Sequence, residues 1–164
     1  MMQTERYEVI GDAIQDRLRH VYWIAGGSGA GKSTLARRIV AERGLQLYST
    51  DDVMADHSKR SSPECCPFMH DFIAMDMDER WVNRSPKAML ETFHWFRGEG
   101  FSMILEDILR LSNEPGVIAE GFRLLPHLVK PLSPRGATNK CDLMSQRRHP
   151  WSGDVQVANR PGRR

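Results

Sequence analysis

A chain of 164 residues with 40% apolar and 27% charged side chains is long enough for one domain with its own core, and no apolar run in it is long enough to cross a bilayer. Three cysteines, two of them adjacent (Cys65, Cys66) and one at Cys141, exclude a disulfide framework; with no basic-then-apolar leader, a reduced cytoplasm is the expected setting. The net charge of +2 hides an asymmetry, because residues 1–130 carry 16 Lys/Arg against 19 Asp/Glu whereas residues 131–164 carry 7 against 2. An acidic body argues against a nucleic-acid partner, and no membrane partner is expected.

In chain order, "ERYEVIGDAIQDRLR" (5–19) spaces Tyr7, Ile10, Ile14 and Leu18 as one helical stripe, with acids early and Arg17 and Arg19 late. Val21 to Ala25 is a continuous apolar run, which predicts a strand buried on both faces of a parallel sheet. Lys32 to Arg43 repeats the helical stripe through Leu35, Ile39 and Val40, and Gly44 is suited to close it. "LQLYS" (45–49) predicts a second short strand. Residues 55–80 show no period. Ser85-Pro86 is an N-cap followed by proline at the first helical position, and the helix after it is expected to turn Met89, Leu90, Phe93 and Phe96 inward and stop near Gly98. "FSMILEDILRL" (101–111) predicts a further helix, and "VIA" (117–119) a third buried strand. After Pro131 no period persists, and the basic stretch 131–164 is expected to be a poorly ordered tail behind a domain of residues 1–130.

Between the first strand and its helix, Gly26, Gly27, Ser28, Gly29, Ala30, Gly31, Lys32, Ser33 and Thr34 spell a complete G-x-x-x-x-G-K-S phosphate-binding pattern. Glycines allow the backbone to wrap so that successive N–H groups face phosphate oxygens. Lys32 would reach the β- and γ-phosphates and the Ser33 hydroxyl would ligate Mg²⁺, while the helix opening at Thr34 turns its positive end to the anion. Asp51 and Asp52 follow the second strand, where residues just past a parallel strand face the ligand crevice; Asp51 is the candidate to receive or orient a proton on an attacking hydroxyl. The competing reading is that these aspartates cap the next helix. Glu120 ends the third strand and is the candidate to hold Mg²⁺ through water or to anchor substrate.

Arg123 is a candidate clamp on an anionic substrate group, against its reading as a surface cation. Arg80 and Arg84, four apart, would share one helix face, either with Arg84 toward an acidic substrate or as a solvated ion-pair face beside Asp76, Asp78 and Glu79. His57, His70 and Cys65-Cys66 lack paired zinc spacing, and Trp81, Trp95 and Phe96 are expected in the core or a substrate-pocket wall. Asn139-Lys140-Cys141-Asp142 has the form that reads guanine in regulatory GTPases, but no Asp-x-x-Gly accompanies it.

Taken together, "IAGGSGAGKSTLARRI", "LYSTDDV" and "VIAEGFRLLP" resemble the small P-loop kinases, a group that includes adenylate-kinase-like, shikimate-, gluconate- and chloramphenicol-phosphotransferase-like and zeta-toxin-like proteins. The resemblance covers about residues 20–130 and implies an α/β P-loop NTPase fold, three layers around a parallel sheet. The fourth and fifth strands that such a sheet would add are not recognisable, as if the C-terminal strands had been cut off or replaced. It implies an ATP- and Mg²⁺-dependent phosphotransferase acting on a hydroxyl of a small molecule, with Lys32, Asp51 and Glu120 in the catalytic roles. The family's arginine-bearing lid is not recognisable, although Arg147 and Arg148 are cationic. Two alternatives therefore stand: a nucleotide-binding protein without turnover, and a GTPase switch reading guanine through residues 139–142.

Overall fold

The computed structural model describes residues 12–132 and a strand at 156–158. Residues 12–17 are helical. They are followed by β1 (Val21–Ala25), α1 (Lys32–Arg43), β2 (Gln46–Ser49), α2 (Met54–Arg60), α3 (Pro67–Ala74), α4 (Met77–Trp81), α5 (Pro86–Thr92), α6 (Phe101–Arg110), β3 (Val117–Gly121), α7 (Pro126–Val129) with a 3-10 turn at Lys130–Leu132, and β4 (Gln156–Ala158). The fold is mixed α/β, with β2, β3 and β1 forming a small parallel sheet.

The order across the sheet is β2-β3-β1-β4. Val21 pairs with Val117 and Ala25 with Gly121, so β1 and β3 end side by side; Ser49 of β2 lies opposite Glu120. The connection leaving β1 crosses over to β2, and the chain returns to insert β3 between them. A crevice opens beyond the C-terminal ends of strands whose connections diverge in this way.

Both faces of the sheet are covered, which is why β1 and β3 read as unbroken apolar runs. On one face Trp23, Ala25, Val117 and Ala119 pack with Ile104 and Ile108 of α6, Leu18 and Leu124. On the other, Ile24 and Ile118 meet Ala36, with Ile39 and Val40 of α1 against them. Leu35, read as part of the inward stripe, is outward at 37% exposure; the small Ala36, fully buried, is what lets α1 lie close to the strands. Gly44 ends α1 in the left-handed conformation, its N–H donating to the Val40 carbonyl.

Segment 55–80, which shows no sequence period, folds into α2, α3 and α4. Each has at most eight residues, about two turns, too short for a 3.6-residue period to declare itself. Their starts carry local signals instead. Pro67 opens α3, and Asp76 with Glu79 forms a complete capping box on α4. The Ser85 hydroxyl does cap α5, accepting from the Ala88 N–H at 3.1 Å. That helix stops at Thr92, because Phe93 turns to extended backbone, rather than running on to Gly98. Leu90, within the helix, is 63% exposed, contrary to expectation, and Phe96, beyond its end, is half-exposed.

The reading of 131–164 as a poorly ordered tail lies outside the described residues, apart from the end of the 3-10 turn and β4. That strand corrects the expectation that no further strand follows: it pairs antiparallel with β1, Trp23 opposite Ala158, and is too short to leave a sequence period. Residues 139–142 and Arg147 and Arg148 lie outside the described residues. Among the described residues no helix is long and apolar enough to cross a membrane.

Candidate functional site

Directly after β1 the chain turns through Gly26, Gly29 and Gly31, all at positive φ. A side chain built on Gly29 or Gly31 would meet nothing within 4 Å, so left-handed backbone, not crowding, is what requires glycine there. The turn is braced internally. The Ala30 N–H donates to the Gly27 carbonyl at 3.3 Å, and Lys32 Nζ donates to the same oxygen at 2.8 Å. Lys32 is buried, with an ammonium and no carboxylate against it among the described contacts. The first intrahelical-type bond is Leu35 N–H to Gly31 at 3.0 Å; among the described residues no acceptor meets the amides of Lys32, Ser33 and Thr34. These are the donors every helix start leaves open, here at the head of a twelve-residue helix whose first residue, Lys32, lines the crevice.

Glu120 sits in β3 rather than in a loop, and is only 3% exposed. Strand alternation turns it to the α1 face, where the Ser33 hydroxyl lies 3.2 Å from each carboxylate oxygen. A buried carboxylate with one hydroxyl donor is under-compensated by protein alone. Hard oxygen donors in this arrangement suit a small divalent cation completed by water and phosphate oxygens.

The β2 end delivers Asp51. Thr50 is fully buried, its N–H donating to the Glu120 carbonyl at 2.9 Å and its hydroxyl to Asp51 Oδ1 at 3.3 Å. Gly121 allows this approach: at φ +145°, a built Cβ there would stand 1.8 Å from Thr50 Oγ1 and 3.3 Å from Asp51 Oδ1. The helix-capping reading of the aspartates does not hold, since the N-cap of α2 is Val53, with no side-chain cap. Both aspartates are exposed; Asp51 lines the crevice with Lys32 and Asp52 does not.

Arg123 is not a surface cation, and it does not line the crevice. It is 3% exposed beneath the Asp51 corner, donates from Nη1 to the Thr50 carbonyl at 3.2 Å, and leaves Nε and Nη2 unmatched. Burial lowers its affinity for its proton, against the pull of Tyr48 and Asp51. Gly100 makes room for it, as a Cβ there would stand 2.9 Å from Nη2. Arg84 donates to the Ala88 carbonyl and does not line the crevice. Arg80 is no member of a solvated ion-pair face: it caps the end of α3, donating to the Phe72 and Ile73 carbonyls at 2.9 and 2.6 Å.

A second set of residues, invisible to sequence reading, holds the Asp51 corner from behind. Asp107 of α6 accepts from Tyr48 at 3.0 Å and from Arg60 at 2.8 Å, and lies 2.6 Å from Nε2 of the fully buried His57. Burial pushes the Asp107 carboxyl up, but hydrogen bonds from His57, Arg60 and Tyr48 outweigh it and hold the group below its ordinary range. Tyr48 and His57 flank residues 49–53, so the carboxylate ties both ends of that turn to α6. No spacing signal could have joined residues 50 and 59 positions apart.

Above the strand ends opens a cavity of about 600 Å³, within the usual small-molecule range. It is lined by Gly26, Gly27, Ser28 and Lys32 of the glycine turn, by Asp51, and by an aromatic and apolar set, Trp81, Phe93, Trp95, Phe96 and Phe122 with Leu124, Leu125 and Pro126. Trp95 is braced edge-on by Phe122 (4.3 Å between centroids) and Phe93 (4.5 Å). His57 and His70 go to separate partners, Asp107 and Ser61, and among the described residues no group of three His, Cys, Asp or Glu is arranged to hold a metal. No protein-family model, curated protein or solved structure matches this chain.

Proposed function

We propose that this chain is a small-molecule kinase of the P-loop NTPase fold, transferring the γ-phosphoryl group of ATP to a hydroxyl with Mg²⁺. The observation that carries the reading is the meeting of three strand ends: the glycine turn and open amides after β1, Asp51 after β2, and Glu120 of β3 against Ser33. The residues fit the implied ligands. Open amides and a buried ammonium suit polyphosphate, and the Ser33–Glu120 oxygen set suits Mg²⁺. Bound there, Mg²⁺ would offset charge on the phosphate oxygens.

The work of this chain's own residues follows. The turn at residues 26–34 orients the phosphates, and Lys32 leaves the Gly27 carbonyl to meet them. Ser33 and Glu120 hold the metal side. Asp51, at the cavity edge, orients the attacking hydroxyl and accepts its proton.

A second reading has its own support: among the described residues no arginine lines the cavity. An arginine over the transferring phosphoryl group is worth about 10³–10⁵ in rate, so a chain without one would bind nucleotide and not turn over. The two separate by experiment. With a chromatographic assay for phosphorylated acceptor, Asp51→Asn should keep ATP affinity and lose about 10²-fold or more in transfer. Lys32→Ala should lose both. Full transfer by Asp51→Asn would remove the role assigned to it, and tight ATP binding with no transfer to any acceptor would favour the second reading.

A further inference from the structure

We propose that the aromatic side of the cavity is the acceptor subsite, and that it takes an uncharged aryl or alicyclic alcohol, ring against the wall and hydroxyl toward Asp51; this rests on the kinase reading above. Lys32 and Asp51 are the only charged side chains lining the cavity among the described residues. The arginines adjacent in sequence to the wall do not line it. Arg80, Arg84 and Arg97 donate to backbone carbonyls of residues 72, 88 and 91, and Arg123 is buried with Nη1 on the Thr50 carbonyl. A carboxylate or phosphate on the acceptor would therefore find no cation at the wall, and the extra hydroxyls of a polyol would be stripped of water against aromatic rings without replacement partners.

The wall is suited to a ring. Trp81 and Phe96 line the cavity yet are 49% and 46% exposed, which leaves aromatic surface for a ligand to cover. Edge-to-face contacts fix Trp95 between Phe93 and Phe122, so the subsite is set before a ligand arrives and little ordering is required on binding. Asp51 borders the same space, placing a proton acceptor where a ring substituent would project. In the transfer step the acceptor oxygen bonds to the γ-phosphorus and the bond from that phosphorus to the β–γ bridging oxygen breaks. ADP leaves with that electron pair, and the hydroxyl proton passes to Asp51.

The test uses the full chain with 2-phenylethanol and cyclohexylmethanol as probes and glycerol and gluconate as counter-probes. Binding is read by saturation-transfer NMR, phosphomonoester formation from Mg-ATP by ³¹P NMR, and nucleotide affinity by calorimetry with a non-hydrolysable ATP analogue. The ring protons of the first two probes should saturate most strongly, and a Trp81→Ala/Phe96→Ala variant, altered only at half-exposed positions, should weaken them roughly fivefold or more. Analogue affinity in that variant should change by less than about twofold, and Lys32→Ala should lose the analogue while the ring probes still bind. Preference for glycerol or gluconate over the ring probes would overturn the proposal. So would an equal loss of analogue and ring probe in the double variant, which would make the wall a nucleobase site. Ring probes that bind a wild-type chain unable to bind the analogue would instead bring down the kinase reading, and the acceptor role with it.

Discussion

The two sets of residues that line the cavity are built in opposite ways. The loop side is one continuous stretch, residues 25–34, braced by hydrogen bonds to the Gly27 carbonyl, whose polar groups are the backbone, one ammonium and the hydroxyls of Ser28, Ser33 and Thr34. The aromatic wall is assembled from single side chains at Trp81, Phe93, Trp95, Phe96 and Phe122, each contributed by a turn or a helix end. One set is held by hydrogen bonds onto its own carbonyls, Ala30 N–H and Lys32 Nζ to Gly27. The other is held by rings that brace each other. The charged and hydrogen-bonding groups thus belong to one set and the apolar surface to the other, with Asp51 the one carboxylate in the same lining.

The Asp51 corner can be broken at one atom. Gly121→Ala forces a methyl group onto Thr50 Oγ1, and φ +145° excludes relief by the backbone. We expect a loss of about 4 kcal/mol and a thermal midpoint lower by ~10 °C, read by calorimetry. Near-normal stability would mean that β2 and β3 do not meet this closely. Asp107→Asn tests the brace behind Asp51. With the carboxylate gone, His57, Arg60 and Tyr48 lose their shared acceptor, at a cost of about 3 kcal/mol in denaturant unfolding. Because the carboxyl titrates below its ordinary range, its contribution is present above about pH 4 and is lost on acidification below that, so the wild type should lose this advantage over the variant in strong acid.

The smallest effect sharpens the contrast from the aromatic side. His94 is buried against Phe72, Phe93 and Trp95, and burial, with the Arg123 charge adding to it, brings its pKa down from 6.5 to about 4. The unfolded chain therefore takes up this proton at higher pH than the folded one. Stability from this group is complete above about pH 6.5 and declines as pH falls toward 4, by about 2 kcal/mol at pH 5. His94→Phe should flatten that limb of a stability-against-pH curve. An unchanged limb would show that the wall tolerates a charged imidazole.

The same contrast governs what could be read in advance. β1 and α1 came out at Val21–Ala25 and Lys32–Arg43, the expected bounds, because a strand buried on both faces and a capped helix each announce themselves within a dozen residues. The glycine pattern likewise depends on neighbours in sequence. Segment 55–80 is opaque because two-turn helices are too short for periodicity; Phe96 does line the cavity, as one of its two expected places, but from a turn, because the helix expected to carry it ends at Thr92. Arg123 shows the limit most plainly. A basic residue three positions after a strand-end acid reads as a clamp or a surface charge, and only the packing of Gly100 above it and the Thr50 carbonyl beside it reveals a buried strut.

The amino-acid sequence alone determined the strand–glycine turn–helix unit and the acids near the ends of two further strands. Each depends on local rules: left-handed backbone at glycine, apolar runs in buried strands, helix starts and stops. Tertiary structure decided that Glu120 meets Ser33, that Asp51 is held at the cavity edge by Gly121 and braced through Asp107, and that dispersed aromatic rings form one wall. Those arrangements depend on strand order and on contacts between residues tens of positions apart, which no spacing along the chain encodes.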